Sequence, residues 1–300
     1  MVFVTAEPKI HNKEGCKLSD VKNLRAGVIG LGMIGGGVAA SLVHSGVMPA
    51  VYDVVPDAYK KHEGVPEPLA SPAEVSAVSD VVMIAVFNYQ QCKEVIAGAG
   101  GLLENAHENM TLVILSTIAI DELRDLCAIC AQKGVALLDC GVTPGSRAAN
   151  NGLVAMVGGS QDIFENARPV LDAWSGAAFY CGPSGAGMAC KIARNVNTYG
   201  VWRVTSEAFR LAVAAGIDRK TFLEVLETAD QSENIFYQLV KVRAQTPDGK
   251  LPPGMARVSE YMRKDLTASK ALSDSFNISM PVRDEIMNYC KDTFDCEESE

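Results

Sequence analysis

Positive charge is in short supply in this chain of 300 residues. Its 27 lysines and arginines are outnumbered by 36 aspartates and glutamates, so the formal net charge is −9. Such a balance offers no broad footprint for a phosphate backbone and no polybasic patch for an anionic membrane surface. We therefore expect neither a nucleic-acid partner nor a membrane partner.

Long apolar runs are missing as well. The longest ones, such as 81–87, have the length of buried strands and fall short of the roughly 18–20 residues that cross a bilayer. The first residues lack a basic segment followed by an apolar one, which would mark a signal peptide. Nine cysteines, an odd number spread through apolar segments, indicate reduced thiols. Together these features predict a cytoplasmic protein.

Histidine is scarce, and patterns of metal ligands are scarce with it. The four histidines all lie in the first 110 residues and form no His-x-x-x-His pair, so we interpret each as solvated or structural. One Cys-x-x-Cys occurs, at Cys127 and Cys130, without a second pair or a neighbouring histidine. Packed thiols explain it better than a ligand set does. We predict no metal site.

The order of the predicted elements divides the chain into two parts. From Ala26 to about Gly182, short apolar strands alternate with helices, which is typical of an α/β fold with a doubly wound parallel sheet. Beyond this point helical periods dominate, and the run 186–215 would form a helix of about 45 Å. We expect an extension over 1–24, an α/β domain over 25–182 and an all-helical domain, built round the long helix, over 183–300.

A glycine turn follows the first predicted strand and opens a helix. Its pattern is Gly-x-Gly-x-x-Gly, and its six residues are Gly30, Leu31, Gly32, Met33, Ile34 and Gly35. In this context glycines allow a tight turn and a close approach of the backbone to a pyrophosphate, which the helix N-terminus attracts. The turn predicts a dinucleotide site in the domain over 25–182, and Val86, at the end of another predicted strand, is assigned to the same site.

An acidic residue decides between the two nicotinamide cofactors. Asp53 ends the second predicted strand, 18 residues after Gly35, where a carboxylate can accept hydrogen bonds from both ribose hydroxyls. The carboxylate would repel a 2′-phosphate, and the residues that follow are Val54 and Val55 rather than arginine. We predict NAD in preference to NADP.

A lysine provides the candidate for proton transfer at the reacting end. Oxidation of an alcohol leaves a hydroxyl proton that a side chain must take. Lys191 and Asn195 lie four residues apart in the long predicted helix and therefore project from one face. Burial, or a nearby cation such as Lys264, would lower the pKa of the amine toward a useful value.

Two loops after predicted strands carry hydroxyl groups. One contains Thr143, Pro144, Gly145 and Arg147, and the other contains Ser116 and Thr117. The carboxyl ends of strands are where α/β sheets bind ligands, so the first loop is a candidate for holding a carboxylate. Either segment could also be ordinary, the first a plain loop and the second a helix cap.

Five of these motifs, in this order, resemble the β-hydroxyacid dehydrogenase family, which includes 3-hydroxyisobutyrate dehydrogenase and tartronate semialdehyde reductase and is related to 6-phosphogluconate dehydrogenase. The resemblance covers about 26–266. Its motifs stand here as 30–35, 116–117, 139–145, 185–195 and 264–266.

The resemblance implies a Rossmann domain followed by an all-helical domain, and a role for each motif. Lys191 would be the general acid and base, and Asn195 would orient the substrate. Thr143 and the turn around Gly145 would bind the substrate carboxylate. Thr117 and Lys264 would lie near the nicotinamide, and the helical domain would pair subunits into a homodimer or homotetramer.

The chain departs from the family pattern in the substrate loop. Thr143 stands for serine, Gly141 for proline, and Pro144 for a glycine, which removes one backbone donor. Arg147 replaces a small residue. Its guanidinium could bind a second anionic group of the substrate, or it could lie on the surface.

The sequence therefore predicts an NAD-dependent oxidoreductase that interconverts a small 3-hydroxy acid and its semialdehyde or 3-keto acid. Two alternatives stay open. Imine reductases use a similar scaffold but generally carry another residue at the position of Lys191. A non-catalytic dinucleotide-binding scaffold is the other, and loss of that lysine would be its mark.

Overall fold

The computed structural model describes residues 25–230, 239, 242–243, 245–248, 250–252 and 256–295. The chain forms two compact units, of which the first ends at Arg194 and the second begins at Asn195. The extension predicted over 1–24 lies outside the described residues, and the domain boundary predicted at 182 stays a prediction. Along the described part of the chain, no helix is both long and apolar enough to cross a membrane.

A seven-stranded sheet forms the centre of the first unit, in the order β2-β1-β3-β4-β5-β6-β7. The strands are β1 Ala26–Ile29, β2 Ala50–Tyr52, β3 Val81–Ile84, β4 Thr111–Ile114, β5 Ala136–Thr143, β6 Leu153–Gly158 and β7 Ser175–Gly182. Every residue of β1, β3 and β4 is buried, because helices cover both faces of the sheet. This confirms the predicted α/β fold class with a doubly wound, mostly parallel sheet.

One strand pair departs from the parallel arrangement. Strand β6 runs antiparallel to β5, with Asp139 opposite Gly158. The chain between them contains only a short 3-10 helix, Gly145–Asn150, and a parallel crossover needs a dozen or more residues. The short connection therefore returns the chain in the opposite direction, directly beside the end of β5.

Five α-helices connect the strands. They are α1 Met33–His44, α2 Pro72–Ala77, α3 Tyr89–Ala97, α4 Ile120–Ala131 and α5 Gln161–Trp174. Ser71 caps α2, because its Oγ accepts a hydrogen bond of 3.2 Å from the backbone N–H of Glu74. Helix α5 and strand β7 were not predicted, since α5 carries a proline in its interior and β7 shows no alternation of buried and exposed residues.

The described part of the second unit is helical. Helix α6, Ala186–Ala214, begins in the first unit and continues into the second. It is followed by α7 Arg219–Asp230, α8 Ala256–Ser275, α9 Pro281–Asn288 and a 3-10 helix Asp292–Phe294. The long helix predicted over 186–215 is thus confirmed to within one residue at its end.

Candidate active site

The glycine turn joins β1 to α1 at the carboxyl edge of the sheet. Gly30 has φ +87°, and a Cβ placed there would lie 2.6 Å from the carbonyl oxygen of Ala85. A Cβ at Gly35 would lie 1.9 Å from the carbonyl oxygen of Gly30. Both positions therefore require glycine for the turn itself.

Gly32 plays a different part in the same turn. It is exposed, and a Cβ placed there would meet nothing within 4 Å. Helix α1 begins directly after it and carries no acidic side chain in its first turn. Because the first N–H groups of a helix lack partners inside the helix, this open face suits an anionic group such as a pyrophosphate.

Asp53 lies beside the turn, just after β2. Its Oδ2 accepts a hydrogen bond of 2.6 Å from the backbone N–H of Leu31, and its Oδ1 accepts one of 2.7 Å from the N–H of Val55. An ionised carboxylate has about four acceptor sites, so both oxygens can accept further hydrogen bonds. Asp53 is therefore fixed against the turn and still fits a ribose diol.

The two residues directly after Asp53 are apolar and carry no charge. Val54 is 80% exposed and Val55 is also exposed. The nearest lysine in sequence, Lys60, pairs with Asp57 at 2.7 Å, and this hydrogen bond raises its pKa. Lys60 is therefore held by an acid of its own segment.

His62 contacts the turn, which no pattern in the sequence predicted. Its Nε2 lies 3.0 Å from the carbonyl oxygen of Leu31, to which it donates. A Cβ at Gly36 would lie 2.0 Å from the same nitrogen. The only signal in the sequence is the glycine run in α1, which leaves room for a ring. This hydrogen bond gives His62 a structural role at the turn.

The ends of β3 and β4 bring the predicted hydroxyl pair to the same edge, but the two residues differ. Ser116 is buried, and its Oγ donates a hydrogen bond of 2.6 Å to the carbonyl oxygen of Val86. Thr117 is exposed. Ser116 therefore links the two strand ends, whereas the hydroxyl of Thr117 can reach a ligand.

The predicted substrate loop lies against the glycine turn. Strand β5 ends at Thr143, and a Cβ at Gly145 would lie 2.9 Å from Cε of Met33, in the first turn of α1. Further along, Ala148 packs against Gly37, where a Cβ would approach its methyl group to 2.5 Å. The fold thus brings Thr143, Pro144 and Gly145 next to the cofactor turn.

Arg147 lies on the outer side of this loop. It is exposed, and its stem covers Gly152, where an added Cβ would lie 2.7 Å from Cβ of Arg147. Its backbone carbonyl accepts a hydrogen bond of 3.2 Å from the N–H of Gly152. The predicted contact of its guanidinium with a second anionic group stays a prediction.

Lys191 reaches the end of β5 from the N-terminal part of α6. Its amine donates to the backbone carbonyl oxygen of Val142, one residue before Thr143. The close approach depends on Gly141, where a Cβ would lie 2.4 Å from Cβ of Lys191. The structure therefore brings the predicted base and the substrate loop together.

The surroundings of Lys191 favour its neutral form. Its pKa is lowered, first because the side chain is half-buried and second because the positive charge of Arg194 lies nearby; Cys140 opposes the shift. The sequence suggested Lys264 as the nearby cation, whereas the described structure identifies Arg194.

Asp139 is a residue whose part the sequence did not reveal. It is fully buried in β5. Its Oδ1 accepts a hydrogen bond of 2.7 Å from the N–H of Gly185, and its Oδ2 accepts one of 2.7 Å from the N–H of Met188. The one available signal was an acidic residue at the end of an apolar strand.

Two predicted site residues belong to the second unit. Asn195 follows Lys191 by four residues on the same helix. Lys264 lies on α8, where it is exposed and has Asp265 at 3.5 Å. Their predicted roles stay predictions. Among the side chains that the structure describes, no group of three or more His, Cys, Asp or Glu could hold a metal ion.

Both parts of the chain match profiles of known protein families. Residues 25–182 match the family profile described as the NAD-binding domain of 6-phosphogluconate dehydrogenase. Residues 185–296 match the profile described as the NAD-binding domain of NADP-dependent 3-hydroxyisobutyrate dehydrogenase. The fold and the glycine turn thus define a protein with a dinucleotide-binding Rossmann domain.

The relatives narrow this class. The mitochondrial 3-hydroxyisobutyrate dehydrogenase of Mus musculus is 32% identical over 213 residues, which are 70% of this chain and 64% of the mouse protein. A provisionally assigned oxidoreductase of Mycobacterium avium has a TM-score of 0.80 at 24% identity, over 90% of this chain and 98% of that one. The chain belongs to the β-hydroxyacid dehydrogenase family.

A related fold occurs in another class of enzyme. The imine reductase of a Pseudomonas species has a TM-score of 0.72 at 16% identity, over 89% of this chain and 92% of that one. At this identity the likeness shows the fold alone.

Proposed function

We propose that the protein is an NAD-dependent dehydrogenase that interconverts a small 3-hydroxy acid and its semialdehyde or 3-keto acid. The observation that carries the proposal is the amine of Lys191, half-buried beside the substrate loop at the end of β5. A lysine with a lowered pKa can act as base and acid near neutral pH.

Lys191 moves the proton in this proposal. In the oxidising direction its neutral amine takes the proton of the substrate hydroxyl, and in the reducing direction its ammonium group returns a proton to the carbonyl oxygen. Half-burial and the charge of Arg194 favour the neutral form. Asn195, four residues further on the helix, would orient the same substrate oxygen.

The glycine turn and its neighbours fit the cofactor. The N–H groups at the start of α1 would hold the pyrophosphate, and Asp53 would accept hydrogen bonds from the adenosine ribose. Val86 and the exposed hydroxyl of Thr117, with Lys264 of the second unit, would lie near the nicotinamide ring. When bound, NAD supplies the atom, C4 of nicotinamide, that takes a hydride from the carbinol carbon.

The loop after β5 would hold the substrate carboxylate. Thr143 offers a hydroxyl and Gly145 a backbone N–H, while Pro144 has no N–H to offer. Arg147 is exposed on the same loop and would bind a second anionic group, such as another carboxylate or a sulfonate, of a larger substrate.

The preference for NAD is supported by charge. Asp53 has no cationic neighbour at Val54 or Val55, and Lys60 is paired with Asp57. One matching profile is named for an NADP-dependent enzyme, so the preference must be measured on this chain.

The second unit supports a homo-oligomer. Three large side chains of α6, Val196, Tyr199 and Trp202, are each more than half exposed, and exposed apolar patches are frequent at interfaces between subunits. We propose a homodimer or homotetramer. All seven described cysteines are free, which agrees with the reducing cytoplasm that we propose as its compartment.

Imine reduction is the second candidate, because imine reductases share the fold. Lys191 argues against it, and the same residue argues against a non-catalytic scaffold.

A substrate panel tests the proposal. The protein is mixed with NAD or NADP and a set of 3-hydroxy acids that includes dicarboxylates and sulfonates, and with NADH and a set of aldehydes and imines. Absorbance of the reduced cofactor reports turnover. Lys191→Ala is the test variant, Arg147→Ala tests the second anionic group, and Lys270→Ala is the control, because Lys270 is exposed and pairs with Asp274 on α8.

We expect turnover of a 3-hydroxy acid that Lys191→Ala loses and Lys270→Ala keeps. Turnover of imines alone would contradict the proposal and would support imine reduction instead. Binding of the cofactor without turnover of any compound would contradict it in favour of the scaffold.

A further inference from the structure

We infer that Asp139 is a positioning residue for Lys191: its buried carboxylate fixes the first turn of the helix that carries the amine to the substrate loop. This inference rests on the proposed function, because it concerns the lysine that the proposal makes the acid and base.

The contacts of Asp139 are directed at the start of α6. Each carboxylate oxygen accepts one backbone N–H, from Gly185 and from Met188, at 2.7 Å. Distances this short are typical of charge-assisted hydrogen bonds. A negative charge at a helix N-terminus is also stabilised by the helix dipole. The carboxylate therefore holds the beginning of α6 against β5.

The same strand holds the helix at a second point. Three residues after Asp139, the carbonyl oxygen of Val142 accepts the amine of Lys191, which itself follows Met188 by three residues. Strand β5 thus fixes both the backbone at the start of the helix and the end of the lysine side chain.

Close packing leaves little room for another position of this turn. A Cβ at Gly187 would lie 2.3 Å from the carbonyl oxygen of Met156 on β6, and a Cβ at Gly158 would lie 2.7 Å from the N–H nitrogen of Gly187. The helix start therefore rests directly on β6, in addition to its hydrogen bonds with Asp139 on β5. If the turn moves, Cβ of Lys191 must move relative to Gly141.

Asp139 acts through geometry rather than through its charge on the amine. The causes of the lowered pKa of Lys191 are burial and Arg194, opposed by Cys140. Asp139→Asn keeps the shape of the side chain but has one acceptor oxygen, so at most one of the two N–H groups keeps its partner.

The second unit offers a matched control. Glu207 is also buried, and its carboxylate oxygens accept the N–H groups of Val282 and Arg283 at the start of α9, at 3.3 and 3.2 Å. Glu207 Oε1 also pairs with Arg203 at 2.9 Å. Glu207→Gln therefore weakens a buried helix anchor together with this ion pair, and the helix that it holds, α9, carries no proposed catalytic residue.

The experiment compares wild type, Asp139→Asn and Glu207→Gln in three measurements. These are kcat with a 3-hydroxy acid that wild type oxidises, the Kd for NADH from fluorescence, and the exchange of backbone amide hydrogens by mass spectrometry. We expect Asp139→Asn to lower kcat about tenfold to a hundredfold, the range that a small misplacement of a catalytic group produces. Its Kd for NADH should stay within about twofold of the wild-type value. The midpoint of its pH profile should stay within about 0.3 pH units of wild type, a small fraction of the roughly 1.4 kcal/mol that one pKa unit represents.

Amide exchange separates the anchor from the chemistry. Exchange should rise in 183–194 for Asp139→Asn and around 282–288 for Glu207→Gln, and only the first variant should lose kcat. An unchanged kcat in Asp139→Asn, a loss of kcat in both variants, or a displaced pH midpoint would overturn the inference. If wild type oxidises no 3-hydroxy acid, the proposed function fails, and exchange in 183–194 still decides whether Asp139 anchors the helix.

Discussion

The charge of Asp53 gives a prediction about cofactor choice whose size can be worked out. Two unit charges 4 Å apart interact by about 1 kcal/mol in bulk water and about 4 kcal/mol at an effective dielectric constant of 20. A phosphate carries a charge of about −1.5 to −2 at neutral pH. Even at the water limit, Asp53 would therefore oppose a 2′-phosphate by about 1.5–2 kcal/mol.

This energy sets the expected change for Asp53→Asn. At 1.4 kcal/mol for each factor of ten, the ratio of the NADP to the NAD dissociation constant should fall at least about tenfold to thirtyfold. NAD itself should bind more weakly, because the carboxylate also accepts the N–H groups of Leu31 and Val55, and an amide oxygen cannot replace both.

Titration of protein fluorescence with NADH and NADPH measures both constants at fixed ionic strength. Asp121→Asn is the control, since Asp121 is an exposed acid whose partner is Arg124 on α4. A wild type that binds NADPH as tightly as NADH, or an Asp53→Asn variant with an unchanged ratio, would refute the reasoning.

Two further predictions concern the turn and the base. Gly32→Ala should fold as wild type, because its Cβ meets no atom within 4 Å, yet bind NADH more weakly. Gly35→Ala should bind NADH more weakly and also melt at a lower temperature, because its Cβ meets the Gly30 carbonyl oxygen. Calorimetry and NADH titration separate the two variants, and a Gly32→Ala variant that binds NADH as tightly as wild type would argue against a pyrophosphate at this position. Burial and the charge of Arg194 lower the pKa of Lys191. With rising pH, kcat/KM for oxidation should therefore increase, because the neutral amine is the base, and kcat/KM for reduction should decrease, because the ammonium group is the acid. Initial rates in both directions should give midpoints below the ordinary lysine pKa of about 10.4, and a pH dependence that persists in Lys191→Met would belong to another group.

Local patterns predicted the parts of the site that depend on neighbours in sequence. The glycines of the turn and the acid after β2 each follow from the chemistry of a few adjacent residues. The same is true of the spacing of Lys191 and Asn195, because a helix places residues four apart on one face.

Contacts between distant segments were beyond such patterns. Asp139 meets the N–H groups of Gly185 and Met188 across more than forty residues of chain, and His62 meets Leu31 across about thirty. Nothing local to Asp139 distinguishes an anchor from a loop residue. The antiparallel direction of β6 is set by the length of the connection after β5, and the composition of the strand does not reveal it.

The titration of the Lys191 amine is the most direct test of the account, and it needs neither substrate nor cofactor. Lysine labelled with ¹³C at Cε reports the state of its amine by NMR, and Lys191→Arg assigns the signal by its loss. The account predicts a midpoint below that of the exposed lysines. A midpoint at or above theirs would mean that the surroundings of Lys191 do not favour the neutral amine, and the proposed acid and base would then be wrong.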